Sequence, residues 1–182
     1  MSVIKVAFDA TAVPIALTGA GYYVVEIVKQ LDASNEVELV VITRKSDRER
    51  FVKLATRSKI INVAPNSLPQ RLWFQNFKLG QIVDDLGVDI FHGPHYQLPK
   101  KMKTPSVVTI HDTTLLTHKE VHKKTKTIYF SKIIPKSIEQ AKCIITVSNS
   151  TRDDIVSLFN LSKKIVVAQL GYNKERFNTV GP

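Results

Sequence analysis

Several things this chain lacks narrow what it can be. It has one cysteine, Cys143, in 182 residues; an internal disulfide is excluded, and the composition fits a reducing compartment. No apolar run approaches the ~18 residues that cross a bilayer. The N-terminus enters a strand-like run broken only by Lys5, without the layout of a secretory signal. Acidic residues are scarce, 16 against 26 basic ones, for a formal charge of +10. That excess admits nucleic acid, an anionic membrane surface or a phosphorylated ligand, and equally a generic basic surface. Repeats and low-complexity tracts are absent. There is no Gly-x-Ser-x-Gly elbow, no Gly-Lys-Ser/Thr after a glycine-rich turn, and Val24 stands where a dinucleotide fingerprint needs its third glycine.

What is present is a globular composition, 43% hydrophobic, arranged as short apolar runs alternating with amphipathic ones. Residues 105–112, Pro-Ser-Val-Val-Thr-Ile-His-Asp, read as a central strand covered on both faces and ending in His111 and Asp112. Further strands are expected at 3–8, 37–43, 59–63, 88–91, 143–147 and 164–168. Helices are expected after the turn Gly19-Ala20-Gly21, at 46–55, and at 69–86, where Leu72, Trp73, Phe77, Leu79, Ile82, Val83 and Leu86 would be buried. A last helix follows Ser148-Asn149-Ser150-Thr151, with Ser150 or Thr151 as N-cap and Asp153 and Asp154 in the first turn. The alternation predicts an α/β fold with a doubly wound, mostly parallel, seven-stranded sheet. In such a sheet ligands bind outside the carboxyl ends of the strands. Four turns converge there: Gly19–Gly21, His92-Gly93-Pro94-His95-Tyr96, His111-Asp112 and Ser148–Thr151.

Each polar group also has a structural reading. Two glycines between strand and helix let backbone amides approach a phosphate, and equally make an ordinary turn. His118 and His122 have the i, i+4 spacing of a zinc helix, but Lys119 occupies the place of the catalytic glutamate and no third ligand is evident, so no metal is expected. His92 and His95 suit ligand contact or backbone hydrogen bonding better than a shared metal. Cys143 opens a buried strand and reads as core. Neighbouring residues on an extended chain point to opposite sides, so Asp112 is not expected to orient His111. The basic segment from His118 to Lys142 carries Lys119, Lys123, Lys124, Lys126, Lys132 and Lys136. Val121, Ile128, Phe130, Ile133, Ile134 and Ile138 offer it an apolar face, with a kink expected at Pro135. It suits packing on its own sheet or lying on an anionic membrane; nucleic acid fits least.

Taken together, these motifs resemble the N-terminal half of the GT-B glycosyltransferases, specifically the mannosyltransferase-like members of family 4. The resemblance rests on Thr18-Gly19-Ala20-Gly21-Tyr22-Tyr23, on residues 88–99, on Thr109-Ile110-His111-Asp112, on residues 141–148, and on residues 171–177 as an interdomain motif. It implies a Rossmann-like acceptor domain at 1–170, the start of a linker at 171–182, and a donor-binding domain that is missing here. It implies retaining transfer of a sugar, with mannose the leading guess, from a nucleotide-diphosphate donor to a glycan or lipid-linked acceptor, without metal or other cofactor. Gly19, Ala20 and Gly21 would approach the donor phosphates and His111 the transferred sugar at the reaction centre. Tyr22, His92, His95, Tyr96, Asp112, Ser148 and Ser150 would serve acceptor or sugar. The protein would be cytoplasmic, peripheral on the inner membrane face if the basic segment meets lipid. Tyr22 departs from the arginine usual in the glycine loop, and Lys119 from an expected proline. Leu170 and Asn173 depart from the Asn and Asp of the linker motif. A stand-alone ligand-binding or regulatory module is the rival reading.

Overall fold

A computed structural model describes residues 3–171; the stretch 172–182, where most of the linker reading falls, lies outside the described residues. Seven strands form one sheet: β1 (Ile4–Asp9), β2 (Val37–Arg44), β3 (Lys59–Ala64), β4 (Ile90–Gly93), β5 (Ser106–Ile110), β6 (Cys143–Thr146) and β7 (Ile165–Val167). Their order is β3-β2-β1-β4-β5-β6-β7, and every neighbouring pair is parallel. The order reverses between β1 and β4, so the loops leaving these two strands diverge and open a crevice.

Alternation along the central strands feeds two apolar layers. Phe8, Leu39 and Val41 point into one, with Val24 and Val28 of α1 (Gly19–Ala33) and Phe51 of α2 (Arg48–Leu54). Ala7, Val40, Ile42 and Phe91 point into the other. That second layer is completed by α3 (Leu68–Phe77), α4 (Leu79–Asp85), α6 (Lys124–Gln140) and α7 (Asn149–Phe159), through Phe74, Leu79, Val83, Ile134, Ile138 and Ile155. A one-turn helix, α5 (Thr114–Thr117), follows β5.

Four expectations need correction. The helix expected over 69–86 is two helices broken at Lys78, where the Lys100 amide donates to the Asn76 carbonyl that a continuous helix would bond to Gly80; the Lys101 carbonyl also packs on Gly80, where a Cβ would lie 1.9 Å from that oxygen. Trp73 and Phe77 are not core residues. The inward positions of α3 go to Phe74, Gln75 and Asn76, leaving Trp73 54% and Phe77 57% exposed. The fourth strand starts two residues late, since Asp89 is occupied in bonding Lys5 through side chain and backbone; His92 therefore lies inside β4 rather than in the turn after it. In the basic segment, His118 ends α5, a 3-10 turn holds Lys119–Val121, and α6 begins only at Lys124. His118 and His122 thus share no helix, Val121 and Ile128 face solvent, and α6 continues through Pro135. This helix packs on its own sheet through Ile134 and Ile138.

Candidate functional site

The crevice at the β1/β4 reversal is a pocket of about 310 Å³. Its walls come from the loop after β1, the start of α1, the Pro94–His95 turn after β4, and Lys126 at the start of α6. Arg44 and Arg50 pin the loop after β1 by donating to the carbonyls of Val13, Pro14 and Ile15. The loop presses Pro14 and Leu17 against Gly21, where a Cβ would meet both at 3.1 Å; a larger residue would displace the helix start. Gly19 faces open space. Thr18 gives α1 no side-chain cap, which leaves its first-turn amides without a side-chain acceptor there, and Thr18, Ala20 and Gly21 line the crevice.

Behind the pocket stands an aromatic and histidine cluster. The His111 ring is met edge-on by Tyr23 at 4.8 Å between centroids, and His95 and Tyr96 flank it at 5.8 and 5.7 Å. His111 Nε2 lies 2.8 Å from the Pro94 carbonyl, a pairing that requires Nε2–H to donate. Burial lowers the His111 pKa despite the opposing pull of that bond and of Asp112. The ring is therefore neutral at pH 7, with Nε2 protonated. His95 is pushed down to about 4 by burial, with His111 and Lys126 adding to the effect, and its Nδ1 is buried without a hydrogen-bond partner.

The structure separates the remaining candidates. His92 is buried in the sheet, its Nε2 2.8 Å from Thr109 Oγ1 and its ring edge-on to Phe8; burial lowers it to about 4. It braces the sheet beneath the site. Asp112 accepts from Tyr96 (2.6 Å) on one oxygen and from the Thr114 amide and hydroxyl on the other. Burial opposes its ionisation, but these bonds outweigh it and hold the carboxyl below the usual range. Asp112 makes no bond to His111. Tyr96 is buried, sits at φ 61°, and has its pKa raised by burial and by its bond to Asp112. Asp112 and Tyr96 thus lock the turns that present His95 and His111. Ser148 caps α7 by accepting from the Thr151 amide, the role expected of Ser150 or Thr151; Asp153 and Asp154 fall past the first turn. Thr151 in turn donates to the His111 carbonyl. Ser150 and Tyr22 are exposed. Lys119, Lys123 and Lys124 are exposed outside the pocket, whereas Lys126 lines it.

Sequence reasoning missed Asp9, which lines the pocket from the end of β1. Burial raises its pKa, only partly offset by Thr11, Gln75 and the charge of Arg71. Gln75 reaches it from α3, donating to Asp9 Oδ2 (3.1 Å) and Thr11 Oγ1 (2.8 Å). An acid closing the first strand of a parallel sheet was the available signal; Gln75 carried none. Among the described residues no group of three His, Cys, Asp or Glu side chains converges to hold a metal, and no helix is long and apolar enough to cross a membrane.

Comparison with known proteins places the chain in a family. The family model described as Glycosyltransferase Family 4 matches residues 17–176. The chain is 28% identical over 190 aligned residues to "O-antigen chain mannosyltransferase B" of Escherichia coli, covering 94% of this chain and 48% of that protein. A solved structure, a glycosyltransferase from Rickettsia africae ESF-5, superposes over the whole chain and 47% of its own length, with TM-score 0.56 and 17% identity, which shows a shared fold. The chain thus spans about half the length of these relatives. With the family match running from the loop before α1 to beyond β7, and the parallel sheet and its edge in place, this chain belongs to glycosyltransferase family 4.

Proposed function

We propose that this chain is the acceptor-side half of a retaining glycosyltransferase that moves a hexose, mannose foremost, from a nucleotide-diphosphate sugar to a glycan or lipid-linked acceptor. The observation that carries the reading is the pocket at the β1/β4 reversal, where the uncapped start of α1, His95 and Lys126 meet, with His111 directly behind, in a chain of this family. In this reading the amides of Gly19, Ala20 and Gly21 approach the donor diphosphate and Lys126 adds positive charge. His111 contacts the transferred sugar. Its neutral state suits hydrogen bonding to a hydroxyl better than proton transfer, and its bond to Pro94 fixes the ring. His95, with a buried nitrogen lacking a partner, offers a hydrogen-bond acceptor or donor to a sugar. Asp112, Tyr96, Ser148 and His92 hold these groups in place. A second domain supplies the pocket for the base, so the 182-residue chain alone transfers nothing. The reaction takes place in the cytoplasm and needs no metal.

The test is transfer by the whole protein from a panel of radiolabelled nucleotide-diphosphate hexoses to glycan and polyprenyl-linked acceptors. The expected result is a product whose anomeric configuration matches the donor. Inverted product, or no transfer from any donor by a folded whole protein, would contradict the proposal.

A further inference from the structure

Away from the pocket, α3 and α6 leave a second open groove of about 590 Å³ between them. Its floor is apolar and aromatic. Trp73 and Phe77 stand one helical turn apart with ring centroids 6.0 Å apart, and Ile128 faces them from α6, all three more than half exposed. Its rim is cationic. Lys132 and Lys136 continue the line of Ile128 at i, i+4 spacing, and Lys100 joins them across the groove. Lys100 Nζ sits 4.5 Å from the Phe77 ring centre and Lys78 Nζ 5.9 Å from that of Trp73. No carboxylate lines the groove. The opposite side of α6 is already used, through Ile134 and Ile138, to cover the sheet; the outward face is surplus to the fold.

We propose that this groove docks the protein on an anionic lipid bilayer, with Trp73, Phe77 and Ile128 entering the interface and Lys78, Lys100, Lys132 and Lys136 meeting the headgroups. An indole and a phenyl ring ringed by lysines is the chemistry of interfacial anchoring. The rings prefer the boundary between headgroup and acyl chain, the lysine stems lie along apolar surface, and their ammonium groups remain with the phosphates. Cation–ring contacts keep the lysines over the aromatic floor before lipid arrives. The surface takes only Lys132 and Lys136 from the basic segment expected from sequence, not Lys119, Lys123, Lys124 and Lys126. Those lysines have no exposed aromatic beside them in the groove, and Lys126 belongs to the pocket.

Trp73 is the sole tryptophan of the 182 residues, so its fluorescence reports this groove alone. Vesicles of equimolar phosphatidylglycerol and phosphatidylcholine should blue-shift its emission, and brominated lipid should quench it. Vesicles of phosphatidylcholine alone should bind at least about 10-fold more weakly, and salt near ~1 M should reverse the shift. Lys132→Glu with Lys136→Glu should weaken binding at least about 10-fold, while Lys123→Glu with Lys124→Glu should change it less than about 2-fold. Circular dichroism establishes that both pairs fold. No shift, equal affinity for both vesicles, sedimentation without a tryptophan shift, or loss only in the Lys123/Lys124 pair would overturn the proposal. A shift induced by poly-glutamate but not by vesicles would also overturn it, in favour of an acidic protein partner. None of these readouts depends on sugar transfer.

Discussion

Acidification should destabilise this fold well above the range where carboxylates titrate, and His92 gives the magnitude. Its pKa is lowered by burial from 6.5 to about 4. A histidine depressed in the folded state binds its proton more readily when unfolded. Its stabilising effect is complete above about pH 6.5, declines as the pH falls toward 4, and is exhausted below that. Between about pH 7 and pH 5 this costs roughly 2 kcal/mol from His92 alone, out of about 3.4 kcal/mol for the full shift. His95, lowered to about 4 as well, adds to the loss. Asp9, raised by burial, acts with the opposite sign and gains stability as the pH falls. The clean quantity is therefore the difference between wild type and His92→Gln, a change that keeps a hydrogen-bonding group toward Thr109 and removes the titration. Urea unfolding at both pH values, with a slope of about 2 kcal/mol per M, should show the wild-type midpoint falling about 1 M further than the variant's. Parallel pH dependence in the two proteins would refute a neutral, buried His92.

Other substitutions separate packing from chemistry. Gly80→Ala should cost more than about 2 kcal/mol, because its Cβ would collide with the Lys101 backbone, whereas Gly19→Ala meets nothing and should leave stability within about 0.5 kcal/mol; urea midpoints decide. Ser148→Ala should cost about 1 kcal/mol by uncapping α7, and an unchanged midpoint would show that another group takes over the cap. In the whole protein, His111→Ala should lower transfer at least ~10-fold, equivalent to about 1.4 kcal/mol of transition-state stabilisation, while the melting temperature falls by only a few degrees through the lost bond to Pro94. A variant that melts early but keeps its turnover would mark a structural histidine.

The sheet was legible because its strands are continuous β-branched runs bounded by turn residues, and a parallel order follows from their alternation with helices. The edge with the candidate site follows from topology alone. What could not be read was decided by contacts distant in sequence. The break at Lys78 accompanies the bond from the Lys100 amide to the Asn76 carbonyl, a partner distant in sequence. The outward turn of Trp73 depends on Gln75 being drawn inward to satisfy Asp9, and Asn76 to meet Tyr129. His92 and His111 look alike in sequence, each closing an apolar run. A two-residue shift in where β4 begins places one inside the sheet and the other at its open end. Asp112, beside a histidine, suggested a ligand; its oxygens are committed to Tyr96 and Thr114.

The central claim, that this chain holds one side of a two-sided sugar-transfer site, is tested most directly by titrating the 182-residue chain with a panel of nucleotide-diphosphate sugars in a calorimeter. The start of α1 and Lys126 offer a few donors to the diphosphate, each worth about 1.5–3 kcal/mol before entropy losses. In the proposed reading the second domain, not this chain, holds the base. The account predicts dissociation constants on the order of millimolar or weaker for every donor. A micromolar constant for any of them would contradict it and mark the chain as a nucleotide-binding module complete in itself.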